Sequence, residues 1–160
     1  MTKYAIDTNL YVDALRNPER AVVFQSHYRK LAPALYMSAV VVEELLAGAV
    51  TAARARTLTR EVLESFERTG RVVTPSYGAW KRSGNVLASL ARREGLDLRR
   101  VPKSFVNDVL LAVSCREAGL TLITENLDDF ARIRREFRFE FVAPWPIPPE
   151  GPSAPSRGRR

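Results

Sequence analysis

The chain has 160 residues, of which 46% are hydrophobic and 27% charged, and this length and balance suit one soluble domain better than two. A single cysteine, Cys115, excludes an internal disulfide and favours a reducing, cytoplasmic compartment. The net charge of +7 favours an anionic partner, whereas the longest weakly polar run, residues 31–42, is too short to span a membrane.

In chain order, the first half of the sequence alternates short apolar runs with longer amphipathic ones. Residues 3–6 are predicted to form a buried strand, followed by helices over residues 8–15 and 19–31. Residues 34–38 give a second strand. Ser38 is predicted to cap a helix that ends near residue 47, and Thr51 a long amphipathic helix that ends near residue 68.

The second half continues this alternation. Strands are predicted over residues 71–74, 120–124 and 137–142. Helices are predicted over residues 76–94, from a Ser104 cap to residue 118, and over residues 127–135. The alternation predicts a three-layer α/β fold, with a central, mostly parallel sheet flanked by helices. Sheets of this kind bind ligands at the carboxyl ends of their strands.

The composition changes at residue 144. Six of the ten prolines lie in residues 144–160, a segment that ends in Arg-Gly-Arg-Arg. Such a segment has too little apolar surface to fold alone. We therefore expect a folded domain over residues 1–143 and a disordered tail over residues 144–160.

Acidic residues interrupt four stretches that otherwise look buried. They are Asp7, the pair Glu43 and Glu44, Asp108 in the first turn of the most apolar helix, and the pair Asp128 and Asp129. Any one of them is readily explained as a helix cap or a salt-bridged core acid. Four such sites at strand ends and helix starts instead indicate a cluster, whose mutual repulsion a divalent cation relieves. Oxygen ligands without thiol or imidazole suit Mg²⁺ or Mn²⁺.

The sequence lacks the residues that other common catalytic sites require. One histidine and one cysteine make a Ser-His-Asp or Cys-His site improbable, and no glycine-rich phosphate loop is present. After the first strand the chain reads Asp7-Thr8-Asn9, so the D-x-D of an aspartyl-phosphate enzyme is missing.

Positive charge concentrates in residues 81–103, which hold seven basic and two acidic residues. Two interpretations stay open: a path for nucleic-acid phosphates, or a solvated helix face. On the first interpretation, the residues that contact phosphates are Arg92, Arg93, Arg99 and Arg100. The bases are then expected to stack on Tyr11, Tyr77 or Trp80.

Three blocks, "YAIDTN", "SAVVVEELLAG" and "NDVLLAVSCREAGLTLITENLDDF", resemble the PIN domain and, within it, the VapC-type ribonuclease toxins. The resemblance covers roughly residues 3–142. It implies that Asp7, Glu44 (rather than Glu43) and Asp108 are catalytic metal ligands. The fourth ligand is Asp129, with Asp128 as the alternative. Supporting hydroxyl and amide groups are then Thr8, Asn9, Thr124 and Asn126.

The same resemblance implies a function. It points to an Mg²⁺- or Mn²⁺-dependent endoribonuclease in which water attacks an RNA phosphodiester, leaving a 5′-phosphate and a 3′-hydroxyl. Implied partners are an antitoxin, bound by the helix over residues 51–68 and the preceding residues 40–42, and a second copy of the chain. Two alternatives remain: an RNA-processing nuclease without an antitoxin, and an inactive RNA- or protein-binding scaffold.

Overall fold

The computed structural model describes residues 1–146. Within this range five strands form one sheet in the order β3-β2-β1-β4-β5, and every pairing is parallel. The strands are β1 (Lys3–Ile6), β2 (Leu35–Ser38), β3 (Val72–Val73), β4 (Leu120–Ile123) and β5 (Phe141–Val142). The predicted α/β class and parallel sheet are confirmed.

Helices connect the strands and flank the sheet. They are α1 (Thr8–Arg16), α2 (Pro18–Leu31), α3 (Ala39–Gly48), α4 (Ala52–Leu58), α5 (Glu64–Arg68), α6 (Tyr77–Glu94), α7 (Lys103–Ala118) and α8 (Leu127–Glu136). A short 3₁₀ turn, Ala32–Ala34, leads into β2. In the described part of the chain, no helix combines the length and apolarity that crossing a membrane requires.

The helix ends follow local chemistry. Ser38 and Thr51 cap α3 and α4 with their hydroxyl groups, as predicted, by accepting the N–H groups of Val40 and Arg54. Gly95 and Gly119 end α6 and α7 with φ near +67°, a left-handed conformation that glycine adopts without steric cost.

Three predicted elements differ from the structure. The helix predicted over residues 51–68 contains a π-helical turn, Thr59–Leu63, between α4 and α5. The last predicted strand shrinks to Phe141–Val142, because only these two residues pair with β4. Ser104 does not cap α7. The helix begins at Lys103, two residues before the first helical position that a Ser104 cap predicts, and the preceding Pro102 makes no side-chain capping bond.

The start of α7 changes the interpretation of Asp108. With Lys103 as its first residue, α7 has no acidic residue in its first turn, and Asp108 lies in the second. The helix dipole acts mainly within the first turn. Helix stabilisation therefore does not account for this buried acid.

Strand order places the candidate site. The chain moves outward from β1 to β2 and β3, then returns so that β4 lies on the other side of β1. Connections after β1 and β4 thus diverge, and in open parallel sheets this divergence opens a crevice at the strands' carboxyl ends. Asp7 follows β1 and Thr124 follows β4, so both stand at this crevice.

The start of the predicted tail folds back on the domain. Trp145 stacks on His27 of α2, with ring centroids 4.7 Å apart, and meets Phe24 edge-on at 6.0 Å. The prediction of disorder for residues 147–160 falls outside the described residues.

Candidate active site

Asp7 is both a helix cap and the innermost carboxylate of the crevice. Its Oδ1 accepts the N–H of Thr8 at 2.7 Å, which starts α1, and its Oδ2 accepts the hydroxyl of Thr124 at 2.7 Å. Thr124 in turn accepts the N–H of Asn126 through the same oxygen. These bonds fix the Asp7 side chain between the ends of β1 and β4.

Glu44 reaches the same crevice from α3. Its Oε2 accepts the hydroxyl of Thr8, and its Oε1 accepts the amide of Asn107 at 2.9 Å. Residues 8, 44 and 107 belong to α1, α3 and α7, so these two bonds join three helices around one carboxylate.

Asn126 brings the remaining two acids together. Its Nδ2 donates to Asp108 Oδ2 at 3.2 Å and to Asp129 Oδ2 at 3.1 Å. One amide group thus bridges α7 and α8. The exposed Asp128 does not line the crevice, since it lies on another side of α8. Of the two alternatives for the fourth acid, the structure brings only Asp129 to the other three.

The four carboxylates interact electrostatically. Burial raises the pKa of Asp108 to about 8, with further contributions from the charges of Asp7, Glu44 and Asp129. Burial also raises the pKa of Asp7, against the lowering effect of its bonds from Thr124 and Thr8. The cluster therefore resists full ionisation in the absence of a counter-charge.

The donor set fits a hard divalent cation. The crevice has a volume of about 490 Å³, and none of the described residues that line it is a histidine or cysteine. Within residues 1–146, Asn9 Oδ1 is buried in this crevice without a hydrogen-bond donor. Such an oxygen can accept from a water of a bound ion. No described group of three or more Asp, Glu, His or Cys side chains is already drawn together at metal-binding spacing.

Some predicted residues lie elsewhere. The four arginines, Arg92, Arg93, Arg99 and Arg100, do not line the crevice. Arg93 and Arg100 pair with Glu136 and Asp97 instead. The prediction that bases stack on Tyr11 is wrong, because its side chain is only 3% exposed. The other two aromatic candidates, Tyr77 and Trp80, are exposed.

The comparisons with known proteins agree with this architecture. The PIN domain family matches residues 4–136, most of the chain. The chain belongs to the PIN domain family. No curated protein matches it significantly in sequence.

Solved structures resemble this PIN domain in fold. A chain of the DNA-bound VapBC from Salmonella typhimurium is 22% identical, with a TM-score of 0.66, covering 89% of this chain and 98% of its own. A chain of FitAcB from Neisseria gonorrhoeae is 19% identical, with a TM-score of 0.63 and coverages of 90% and 99%. A chain of a toxin–antitoxin complex from Klebsiella pneumoniae is 21% identical, with a TM-score of 0.57 and coverages of 81% and 91%.

The crevice of this PIN domain also contains one residue and one contact that sequence reasoning missed. Asn107 donates a hydrogen bond to Glu44, and Lys103, the last residue of the basic segment over residues 81–103, forms an ion pair with Glu43 at 2.5 Å. Asn107 directly precedes Asp108, so a polar pair inside an apolar helix was a usable signal. The Lys103–Glu43 pair joins residues 60 positions apart and had no local signal.

Proposed function

We propose that this PIN domain is a divalent-metal-dependent endoribonuclease and the toxin of a toxin–antitoxin pair. The observation that carries the proposal is the meeting of Asp7, Glu44, Asp108 and Asp129 in one crevice. These acids come from four separate parts of the chain. A fold that gathers carboxylates against their repulsion suggests a bound cation and a role beyond stability.

In this proposal Asp7, Glu44, Asp108 and Asp129 hold Mg²⁺ or Mn²⁺. Such an ion, when bound, polarises a phosphodiester and lowers the pKa of the attacking water. Thr8 and Thr124 keep the Glu44 and Asp7 carboxylates oriented, and Asn126 links Asp108 to Asp129 through one amide group. Because ligation requires the ionised acids, the cation's affinity should rise with pH up to about the pKa of Asp108.

The direct test is cleavage of total RNA by the purified chain, with Mg²⁺, with Mn²⁺ and with excess EDTA. We expect cleavage only with a divalent ion, leaving 5′-phosphate ends, and a loss of at least about 100-fold in Asp108→Asn, which retains shape but loses a charge. Asp128→Asn is the matched control and should cleave like the unchanged chain. Full activity in EDTA, or in Asp108→Asn, contradicts the proposal.

An apolar groove beside the crevice supports an antitoxin partner. It lies between α1, α3 and α4, has a volume of about 440 Å³, and is lined by apolar residues that include Val12, Leu15, Leu45 and Leu58. Glu44 lines both groove and crevice. A segment in the groove would reach the acids, where an Arg or Lys could replace the cation's charge.

The lining of the groove changes the set of residues that we expect to contact an antitoxin. Of the predicted residues 40–42, Val40 and Val41 are buried in the core and Val42 is half-buried, whereas Leu15 is 62% exposed. The resemblance in fold to a chain of a toxin–antitoxin complex supports the same partner class.

Expression in the native host tests this part of the proposal. We expect the chain to arrest growth, Asp7→Asn to abolish the arrest, and a small protein encoded beside it to bind and rescue. Leu15→Glu should retain toxicity but escape rescue, while the exposed control Val22→Glu on α2 should be rescued normally. Unaffected growth with no co-purifying partner would instead favour an RNA-processing nuclease.

A further inference from the structure

The proposed substrate and the crevice carry the same sign of charge. Of the described side chains that line the crevice, six are acidic (Asp7, Asp13, Glu43, Glu44, Asp108 and Asp129), and Lys103 alone is basic. RNA brings one negative charge per phosphate. A cation bound by the four inner acids offsets only part of this repulsion, so the rim of the crevice needs a positive group where the RNA backbone passes.

Lys103 lies at that rim, and the stability of α7 does not explain its position. It is the first residue of α7, where the helix dipole is positive and a basic side chain is disfavoured. Its predecessor Pro102 makes no side-chain capping bond. A lysine at this position therefore costs α7 a little stability, and the position calls for another explanation.

Glu43 holds the lysine in place. Lys103 Nζ lies 2.5 Å from Glu43 Oε1, and Asn107 Nδ2 lies 3.4 Å from Glu43 Oε2. The side chains of Lys103 and Glu43 are 73% and 48% exposed. An ion pair this exposed contributes little to folding, and its partners exchange readily for a stronger one.

We propose that Lys103 binds a phosphate of the RNA strand beside the cleaved bond, and that Glu43 is the resting partner that this phosphate displaces. Glu44, the next residue, faces inward to Thr8, while Glu43 faces the lysine. The two adjacent glutamates thus have different roles, one toward the cation and one toward the substrate-binding lysine. This assignment rests on the proposed ribonuclease function.

If Lys103 binds RNA, substitutions of Lys103 and Glu43 should change KM in opposite directions. A purely structural ion pair would not produce this difference. Lys103→Ala should raise KM for a short single-stranded RNA about 5- to 10-fold, with kcat nearly unchanged, and Lys103→Arg should restore it. Glu43→Gln frees the lysine and should lower KM about 2- to 5-fold. In EDTA, the dissociation constant of a labelled RNA should change in the same directions as KM, and the salt slope of binding should fall by about 0.7 in Lys103→Ala.

The Arg60–Glu61 pair supplies charge-matched controls. It is similarly exposed, with an N–O distance of 2.9 Å, and lies outside the crevice. Arg60→Ala and Glu61→Gln change the net charge by the same amounts as Lys103→Ala and Glu43→Gln, so they report any general effect of charge on RNA affinity.

The KM values of these variants test the assignment of Lys103 separately from the ribonuclease function. KM values that move in opposite directions beyond the controls support the assignment. If the unchanged chain cleaves RNA but the Lys103 and Glu43 variants match the controls, or both raise KM together, the assignment is overturned while the ribonuclease stands. A chain that neither binds nor cleaves RNA overturns both.

Discussion

At the residue scale, Asp108 combines burial with three acidic neighbours. No helix-end role explains it, and its pKa of about 8 lies far above the ordinary 3.8 of an aspartate. Asn126 donates one hydrogen bond to it, which offsets only part of this effect. A side chain so placed reduces the stability of the metal-free fold and is expected to be retained for its chemistry.

The pH dependence of stability follows from this pKa. Between pH 4 and pH 8 the folded chain binds a proton at Asp108 that the unfolded chain has released. The free energy of unfolding therefore falls as the pH rises through this range. Asp108→Asn removes the titration, so in EDTA it should melt above the unchanged chain, by an amount that grows from pH 5 to pH 8.

We expect the gap in unfolding free energy to widen by roughly 3–4 kcal/mol between pH 5 and pH 8, because each pH unit between the two pKa values contributes about 1.4 kcal/mol, and this corresponds to roughly 6–16 °C in Tm. Asp128→Asn, at the exposed alternative position, is the control and should show no such divergence. A gap that is constant between pH 5 and pH 8 would mean that Asp108 is already ionised in the metal-free fold.

At the element scale, two glycines of the packed helices α6 and α7 should have opposite effects on stability. One ends α7 and the other lies in the interior of α6. Gly119 ends α7 with φ +67°, which leads directly into β4 and so sets where the Thr124 end of that strand lies. Gly84 lies inside α6 at an exposed position, where an added Cβ meets nothing within 4 Å. The same substitution should therefore act with opposite signs at the two sites.

Gly119→Ala forces alanine into the left-handed region and should destabilise the fold by about 1 kcal/mol. Gly84→Ala improves helix propensity and should stabilise it by about 0.5–1 kcal/mol. Urea unfolding of the two variants measures both. Equal effects of one sign would show that backbone conformation does not decide the outcome.

At the scale of the whole molecule, the end of the described chain closes over the second helix. Trp145 covers Phe24 and His27, and Phe24 in turn packs on Tyr11 of α1. This links the segment after β5 to the helix that Asp7 caps. The folded domain therefore extends at least to Trp145.

Trp145→Ala should lower Tm by roughly 3–6 °C, because it removes about 1–2 kcal/mol of aromatic packing at a partly buried site. Trp80→Ala is the matched control, since Trp80 is 61% exposed on α6, and it should melt like the unchanged chain. Calorimetry of the two variants compares them directly. If Trp145→Ala has no effect, the aromatic contacts with α2 contribute nothing to stability.

The sequence by itself determined the class of fold and most element positions. Capping hydroxyls at Ser38 and Thr51, glycines at 95 and 119, and short apolar runs act locally, so they can be read without tertiary structure. The same applies to Asp7, the pair Glu43 and Glu44, and Asp108, which stand out because they interrupt runs that look buried. The choice of Glu44 over Glu43 came from the family resemblance.

Tertiary structure alone decided which side chains meet. Asn126 bonds Asp108, 18 positions away in sequence, as well as its near neighbour Asp129, because α7 packs against α8. Lys103 meets Glu43 because α7 packs against α3. The arginines of α6 and the following turn are close to Lys103 in sequence but lie outside the crevice. Such contacts depend on strand order and helix packing between distant segments, and no local periodicity encodes them.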